Sequence, residues 1–274
     1  MRADRERAGA RWLALREPAD ADARSRDLVA RVRSSGPGAD CWTIHDLGCG
    51  TGSMARWLAG ELPGPQHWIG YDRDAELLAV AAANPPREAA DGAPVSWETR
   101  RCDITRLTPA DLAGATLVTA SALLDVLTQV ELQRLVGACA TAGCPVLITL
   151  SVTGEVELTP SDAFDVVAAD AFNAHQRRTV GAGALLGSDA VGAAVDGFTR
   201  LGFDMVTQPS PWRLGPDRAG LAQTWFTGWL AAAVEQRPEL GAATRGYARR
   251  RRAEMAAGGL SVVVQHRDLL ARLR

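Results

Sequence analysis

The stretch "IHDLGCGTGS", residues 44–53, decides how the rest of the chain is read. It closes a short apolar run, "CWTIHDL" at 41–47, and opens into "GSMARWLAGEL" at 52–62. The run is strand-like. In the segment after it, Met54, Trp57, Leu58 and Leu62 fall on one helical face. Between the two stand Gly48, Gly50 and Gly52, with Asp46 two residues ahead of the first. A simple reversal of the chain needs about one glycine. Glycines at alternate positions clear side chains from a place where backbone must approach a ligand, beside the unpaired N–H groups of a helix start.

A dinucleotide-binding turn would read G-x-G-x-x-G. Counted from Gly48, its third glycine falls at Ser53, so the pattern is instead D-x-G-x-G-x-G from Asp46. Strand and helix then keep alternating. Strands are expected at 66–72, 94–103, 115–121 and 145–152. Helices are expected at 74–84, capped by Asp74 and stopped by "NPP", and at 130–142. This rhythm predicts an α/β chain with a doubly wound parallel sheet, whose ligands collect at the carboxyl ends of the strands. Acids stand at those ends. Asp72 closes the second strand, where a carboxylate can accept hydrogen bonds from ribose hydroxyls, Asp103 follows the third, and "TASALLDVLT" at 119–128 closes the fourth.

These motifs, in this order over 42–153, resemble those of class I (Rossmann-like) S-adenosylmethionine-dependent methyltransferases, bacterial small-molecule methyltransferases among them. The resemblance implies a mostly parallel, doubly wound seven-stranded sheet, with S-adenosyl-L-methionine as cofactor and S-adenosyl-L-homocysteine as product. It places Asp46, Gly48, Cys49, Gly50 and Gly52 by the methionine part, Asp72 and Arg73 by the ribose, and Asp103 and Ile104 by the adenine. Ser121 falls in the donor pocket. An arginine ahead of the glycines would meet the cofactor carboxylate. Arg24 is the candidate and Arg16 its rival, and both could equally be helix-surface charges.

The chain departs from the family pattern twice. Residues 1–40 are expected to form helices packed on the core, divided at Pro18, and 41–274 to form the methyltransferase domain. Segments 153–187, after the fifth strand, and 215–259, between the sixth (203–214) and the last (260–266), are expected to build a helical cover that selects the substrate. The first segment carries Asn173, His175, Gln176 and Arg177 beside Phe172. His175 reads as a proton acceptor or as a capping or core histidine. Asp125 reads as an alternative base or as a helix cap. Asn173, Gln176, Arg177 and Trp212 are candidate substrate contacts. Trp225 and Trp229 share a helix face, either as packing or as a wall for a flat or cationic substrate. His45 reads as buried, His67 and His266 as surface residues, and Arg249 to Arg252 as a solvated face.

Composition narrows the function. The chain has 274 residues and a formal charge of −2, which argues against a nucleic-acid partner. All 30 basic residues are arginine, so Schiff-base chemistry through lysine is excluded. Five cysteines without a C-x-x-C pair suggest neither disulfides nor zinc, and no metal site is expected. No secretory leader and no apolar run of about 20 residues stand out, so a cytoplasmic protein without a membrane partner is expected. The expected activity is methyl transfer to an O or N atom of a small molecule, secondary metabolites included, by a monomer or homodimer. The rivals are an RNA or protein methyltransferase, against which the missing "NPPY"-type signature counts, and a non-catalytic cofactor-binding scaffold or regulator.

Overall fold

A computed structural model describes residues 8–37, 41–181 and 183–273. The first half holds α1 (Ala10–Ala23), α2 (Arg26–Ser34), β1 (Trp42–Leu47), α3 (Ser53–Ala59), β2 (Gln66–Asp72), α4 (Ala75–Ala83), β3 (Val95–Arg101), β4 (Leu117–Ser121) and α5 (Gln129–Ala142). The second holds β5 (Val146–Thr159), α6 (Phe164–Gln176), β6 (Thr179–Val180), β7 (Gly183–Ala184), α7 (Ala190–Arg200), β8 (Phe203–Pro209), β9 (Trp212–Leu214), α8 (Ala219–Gln236), α9 (Gly241–Ala256) and β10 (Ser261–Leu273).

The main sheet runs β3-β2-β1-β4-β5-β10-β8, with β9 also paired to β10. β1 to β5 are mutually parallel, and β10 is antiparallel to β5, β8 and β9. The sheet is thus doubly wound and mostly parallel, with eight strands where seven were expected. The extra one arises because the expected sixth strand breaks at Ser210–Pro211, a proline having no N–H for a ladder. One face packs under α5 and α7 through Leu135 and Phe198, the other under α2 and α3 through Leu28 and Leu58. β10 serves both faces, Leu269 entering the first core and Leu270 the second.

Two strands outrun the expectation. β5 continues past residue 152 to Thr159, and β10 runs on to Leu273. Their outer parts pair from Val156↔Val264 to Thr159↔Ser261 and rise beyond the sheet as a ribbon. Part of the expected helical cover is therefore β-structure. Against it pack α6, α8 and α9, closing a third core of Trp212, Phe226, Trp229 and Tyr247. Arg251 belongs to this core, which corrects its reading as a solvated charge. It is fully buried, forked onto Asp165 at 2.6 and 2.7 Å and bonded to Glu254 and the Pro160 carbonyl. A buried guanidinium needs this many acceptors.

α1 also departs from expectation, since it runs straight through Pro18. The chain breaks instead at Arg24, and Ser25 caps α2 by accepting from the Leu28 N–H at 3.3 Å. What fixes this break is Asp268. Its carboxylate has no exposure and accepts the Ser25 N–H and the Leu150 N–H, each at 2.8 Å. Leu150 sits in the left-handed region, φ 57°, opposite a register shift in β10, so its N–H points at the side chain rather than along the ladder. Asp268→Ala would strand both N–H groups, and chemical denaturation should show a loss of about 3 kcal/mol.

Candidate active site

The carboxyl ends of β1, β2, β3 and β4 enclose a cavity of about 220 Å³. Gly48, at φ 69°, and Gly50, at φ 54°, form its floor in the left-handed region. A Cβ on Gly48 would lie 2.9 Å from Leu123, and one on Gly50 would lie 3.0 Å from Leu13. The turn is tied to β2 by Asp72, whose two oxygens accept the Gly50 and Asp74 N–H groups at 2.9 Å each. Cys49 donates its N–H to the Tyr71 carbonyl at 2.9 Å. Gly52 caps α3 in the left-handed region and does not reach the cavity. Asp103 accepts from the Thr105 N–H and hydroxyl at 3.2 and 2.7 Å, with Ile104 beside it in the wall. Arg73 and Ser121 complete the expected residues found there.

Two buried groups in this region keep polar atoms without a hydrogen-bond partner. Asp46 accepts from the Thr119 hydroxyl at 2.8 Å through one oxygen, while the other has none. Burial pushes its carboxyl up to about 6, against the pull of Thr119 and Arg24. Arg24 is equally buried, which removes the surface-charge reading. It reaches Ser121 at 3.1 Å and Ser53 at 3.4 Å and stacks over Trp57, leaving its Nε and Nη1 unbonded. Arg16 lines the cavity directly and is paired to Asp20 at 2.9 Å.

Two further cavities adjoin the first. One, of about 150 Å³, lies against the outer ribbon and takes in Arg16, Ala122, Asn173 and Trp212. The other, of about 490 Å³, opens between α1, α6 and α8. Asp125, Gln176, Trp12, Phe172 and Trp225 line both. Asp125 sits in a short turn of 3-10 helix over Leu124–Val126, and burial pushes it up to about 6, with Arg16 and Arg178 pulling the other way. It is not the cap of α5; Thr128 is, in a capping box with Glu131. His175 is buried at the end of α6 and lines the larger cavity only, its Nε2 3.5 Å from Glu235. Arg177 lies outside all three cavities and faces Ser188 and Asp189.

Several wall residues had no signal in the sequence. Trp12 and Leu13 come from α1, whose charged pattern does not mark them as cavity residues, although Arg16 on the same helix was a candidate. Ala122, at φ 50°, and Leu150 are non-glycine residues in the left-handed region at the ends of β4 and in β5. Such strain costs about 1–2 kcal/mol each and tends to gather at functional sites. His266, expected at the surface, is buried against Trp212 at 5.2 Å, and burial pushes its imidazole down to about 3. Among the described residues no cluster of three His, Cys, Asp or Glu could hold a metal, and no helix is long and apolar enough to cross a membrane.

Comparison with known proteins bears on the fold that carries these cavities. A methyltransferase-domain model matches residues 44–145, from within β1 to the residue before β5. The match takes in less than half of the chain and marks a region similar to a methyltransferase domain. A cyclopropane synthase from Mycobacterium tuberculosis shares the fold with a TM-score of 0.53 and 10% identity, over 96% of this chain and 94% of its own. A geranyl diphosphate C-methyltransferase from Streptomyces coelicolor A3(2), solved with S-adenosyl-L-homocysteine, does so with a TM-score of 0.50 and 15% identity, over 94% and 81%. A search of curated proteins finds no match. The residues present fit S-adenosylmethionine as a cofactor: the unpartnered Asp46 oxygen suits a positive centre, and Arg24, which does not itself line the cavity but stands behind its wall residues Ser53 and Ser121, keeps unbonded N–H groups that suit a carboxylate, across a floor where side chains would collide.

Two measurements check the assignment of individual residues. Asp72→Ala should weaken S-adenosylhomocysteine binding at least about tenfold in calorimetry, because it removes the carboxylate expected to accept from the ribose and frees the Gly50 turn; the fold should persist in circular dichroism. Asp46 should make the unliganded protein less stable as pH rises. Its ordinary value is 3.8 and its folded one about 6. Between those values the unfolded chain has released the proton that the buried carboxyl retains, so stability falls by up to about 3 kcal/mol and is level above. Asp46→Asn should flatten that slope in urea titrations run from pH 4 to 7.

Proposed function

We propose that the protein transfers the methyl group of S-adenosylmethionine to an O or N atom of a small molecule held between α1, α6 and α8, with Asp125 receiving the proton of the attacking atom. When bound, the cofactor supplies an electrophilic methyl carbon on a positively charged sulfur. The chain's residues hold it. Arg24, or Arg16 beside it, takes the carboxylate, Asp46 the positive end, Asp72 the ribose, and Asp103 with Ile104 the adenine.

One observation carries the reading. Asp125 stands where the two outer cavities meet, and its near neighbours Ala122 and Val126 also line the donor cavity. An acceptor filling the outer space would thus present an atom at Asp125 and toward the donor at once. Alignment in a closed site supplies most of such an acceleration. Asp125, with a folded pKa of about 6, is ionised near neutral pH and able to take a proton. His175 has a supporting position in the same wall, farther from the donor. A recessed, aromatic-lined acceptor space also favours a small molecule over an RNA or a protein chain.

The test uses S-adenosylmethionine labelled in its methyl group, incubated with small-molecule, RNA and protein fractions of a cell extract. Label should enter the small-molecule fraction; entry into RNA or protein alone would overturn the substrate reading. Asp125→Asn should lower the single-turnover rate by roughly 10² to 10⁴ with cofactor affinity retained, and His175→Ala by clearly less. The reverse order would return the proton acceptor to His175.

A further inference from the structure

Resting on that reading, the walls of the outer cavities say more about the acceptor. Trp12 from α1, Phe172 from α6 and Trp225 from α8 each line both. Aromatic surface therefore faces the shared space from three separate elements. Each ring is backed by another. Trp225 stacks on Trp229 at 5.3 Å and 21°, Phe172 tilts against the same Trp229 at 6.5 Å, and Trp12 meets Trp212 edge-on at 6.3 Å. Rings held this way are fixed before a ligand arrives and lose little freedom on binding. The larger cavity, about 490 Å³, lies within the range of roughly 300–1,000 Å³ usual for small-molecule sites.

Charge separates the two ligands that aromatic walls recognise, the flat ring and the ammonium ion. An ammonium needs an unclaimed carboxylate inside the cage. Here Arg16 is held by Asp20, and Asp125 lies in the fields of Arg16 and Arg178. His266, facing the smaller cavity, is kept neutral by burial, and His175 faces Glu235. Glu155 and Glu235 are exposed at the rim, in contact with water. The interior charges roughly cancel, so a cation would find Asp125 already opposed by the guanidinium groups of Arg16 and Arg178, whereas a neutral ring needs no counter-ion.

We infer that the acceptor is a neutral, planar, fused-ring aromatic compound, seated among Trp12, Phe172 and Trp225 with a ring hydroxyl at Asp125. In the transfer the hydroxyl oxygen forms its bond to the methyl carbon. The methyl–sulfur bond breaks with its electron pair going to sulfur, and the hydroxyl proton passes to the Asp125 carboxylate. Charge balances, because one sulfonium cation and one carboxylate anion are consumed. Gln176, which lines both cavities, is placed to hydrogen-bond a second polar substituent of the ring.

The experiment is calorimetric, on the full chain saturated with S-adenosylhomocysteine. The probes are 1-naphthol, naphthalene, the saturated decahydro-1-naphthol and the cationic 1-naphthylmethylamine. 1-Naphthol should bind about tenfold more tightly than the amine and the saturated alcohol. Trp225→Leu should weaken it about fivefold, and Phe172→Leu should do the same from the facing helix, with S-adenosylhomocysteine affinity unchanged in both. The preference for 1-naphthol over naphthalene should vanish in Asp125→Ala. Equal or tighter binding of the amine overturns neutrality, and equal binding of the saturated alcohol overturns planarity. Indifference of 1-naphthol to both wall variants overturns the seat. If the wild type binds S-adenosylhomocysteine but not 1-naphthol, this inference fails alone; if it binds no S-adenosylhomocysteine, the methyltransferase reading fails with it.

Discussion

A single carboxylate, Asp268, sets the relation between the sheet and everything laid over it. It takes the Ser25 N–H from the start of α2 and the Leu150 N–H from the distorted middle of β5. Taking a carboxylate out of water is costly, and only strong donors offset it. Burial accordingly raises its pKa, against the pull of its hydrogen bonds and of Arg24. Both of those N–H groups have left regular structure, one at a helix start and one at the left-handed Leu150, and each would otherwise be buried without a partner. Because the chain is held at Ser25, α1 comes off at a fixed angle and lies across the mouths of all three cavities. Arg24, one residue earlier, is placed against Ser121 and Ser53 by the same bond.

The ribbon follows from the same point. In a doubly wound sheet the strands usually stop where the ligand begins. Here β5 and β10 continue past that level, through irregular register at Val264/His266 and at Arg267/Leu269. Such irregularities bend a strand and increase its twist. The ribbon can therefore turn over the site while β5 remains the neighbour of β4 below. It carries Val152, Gly154 and Val156 into one wall of the smaller cavity, and α6 and α8 pack beside it. Arg251 secures the far end, joining α9 to Asp165 of α6 and to the turn after β5.

How far the sequence could be read depended on the kind of interaction involved. The glycines at 48, 50 and 52, the acids at 46, 72 and 103, and the five strand–helix alternations are local signals. Each element's period and end are written within about a dozen residues, so the doubly wound sheet and the glycine turn at the carboxyl end of its first strand were legible. The extension of β5 was not. "TGEVELT" alternates in a way that fits a strand, yet its partner, "SVVVQ", lies over a hundred residues away and gives no sign of the pairing. The break at Arg24 rather than Pro18 was hidden for a similar reason, since it is made by Asp268 from the other end of the chain. Arg251 and His266 were misplaced because their residue types are usually exposed, and only tertiary packing buries them. Arg177 looked like part of a polar cluster, but a helix turns about 100° per residue, so it points elsewhere than its neighbour Gln176.

The donor and acceptor sides of the site differ in the same way, and chemistry explains it. In the proposed reaction the donor is one molecule with fixed charges and hydroxyls, and its recognition would fall to backbone and carboxylates at the ends of neighbouring strands. Those residues must stand at set distances along the chain, which is why they form a motif. The acceptor space is bounded by side chains from α1, β5, α6, α8 and β10, elements that meet only after the sheet has formed. Its properties arise from the sum: aromatic rings from three helices and an interior whose charges nearly cancel. Asp125 joins the two sides. It belongs by sequence to the end of β4, where the donor residues are, and by position to the acceptor space. Two carboxylates, the buried Asp46 and the partly buried Asp125, are thus raised to about 6 by the same cause, loss of water. In the proposed reaction they would act differently, because one would face the place of a permanent positive charge and the other the place of a departing proton.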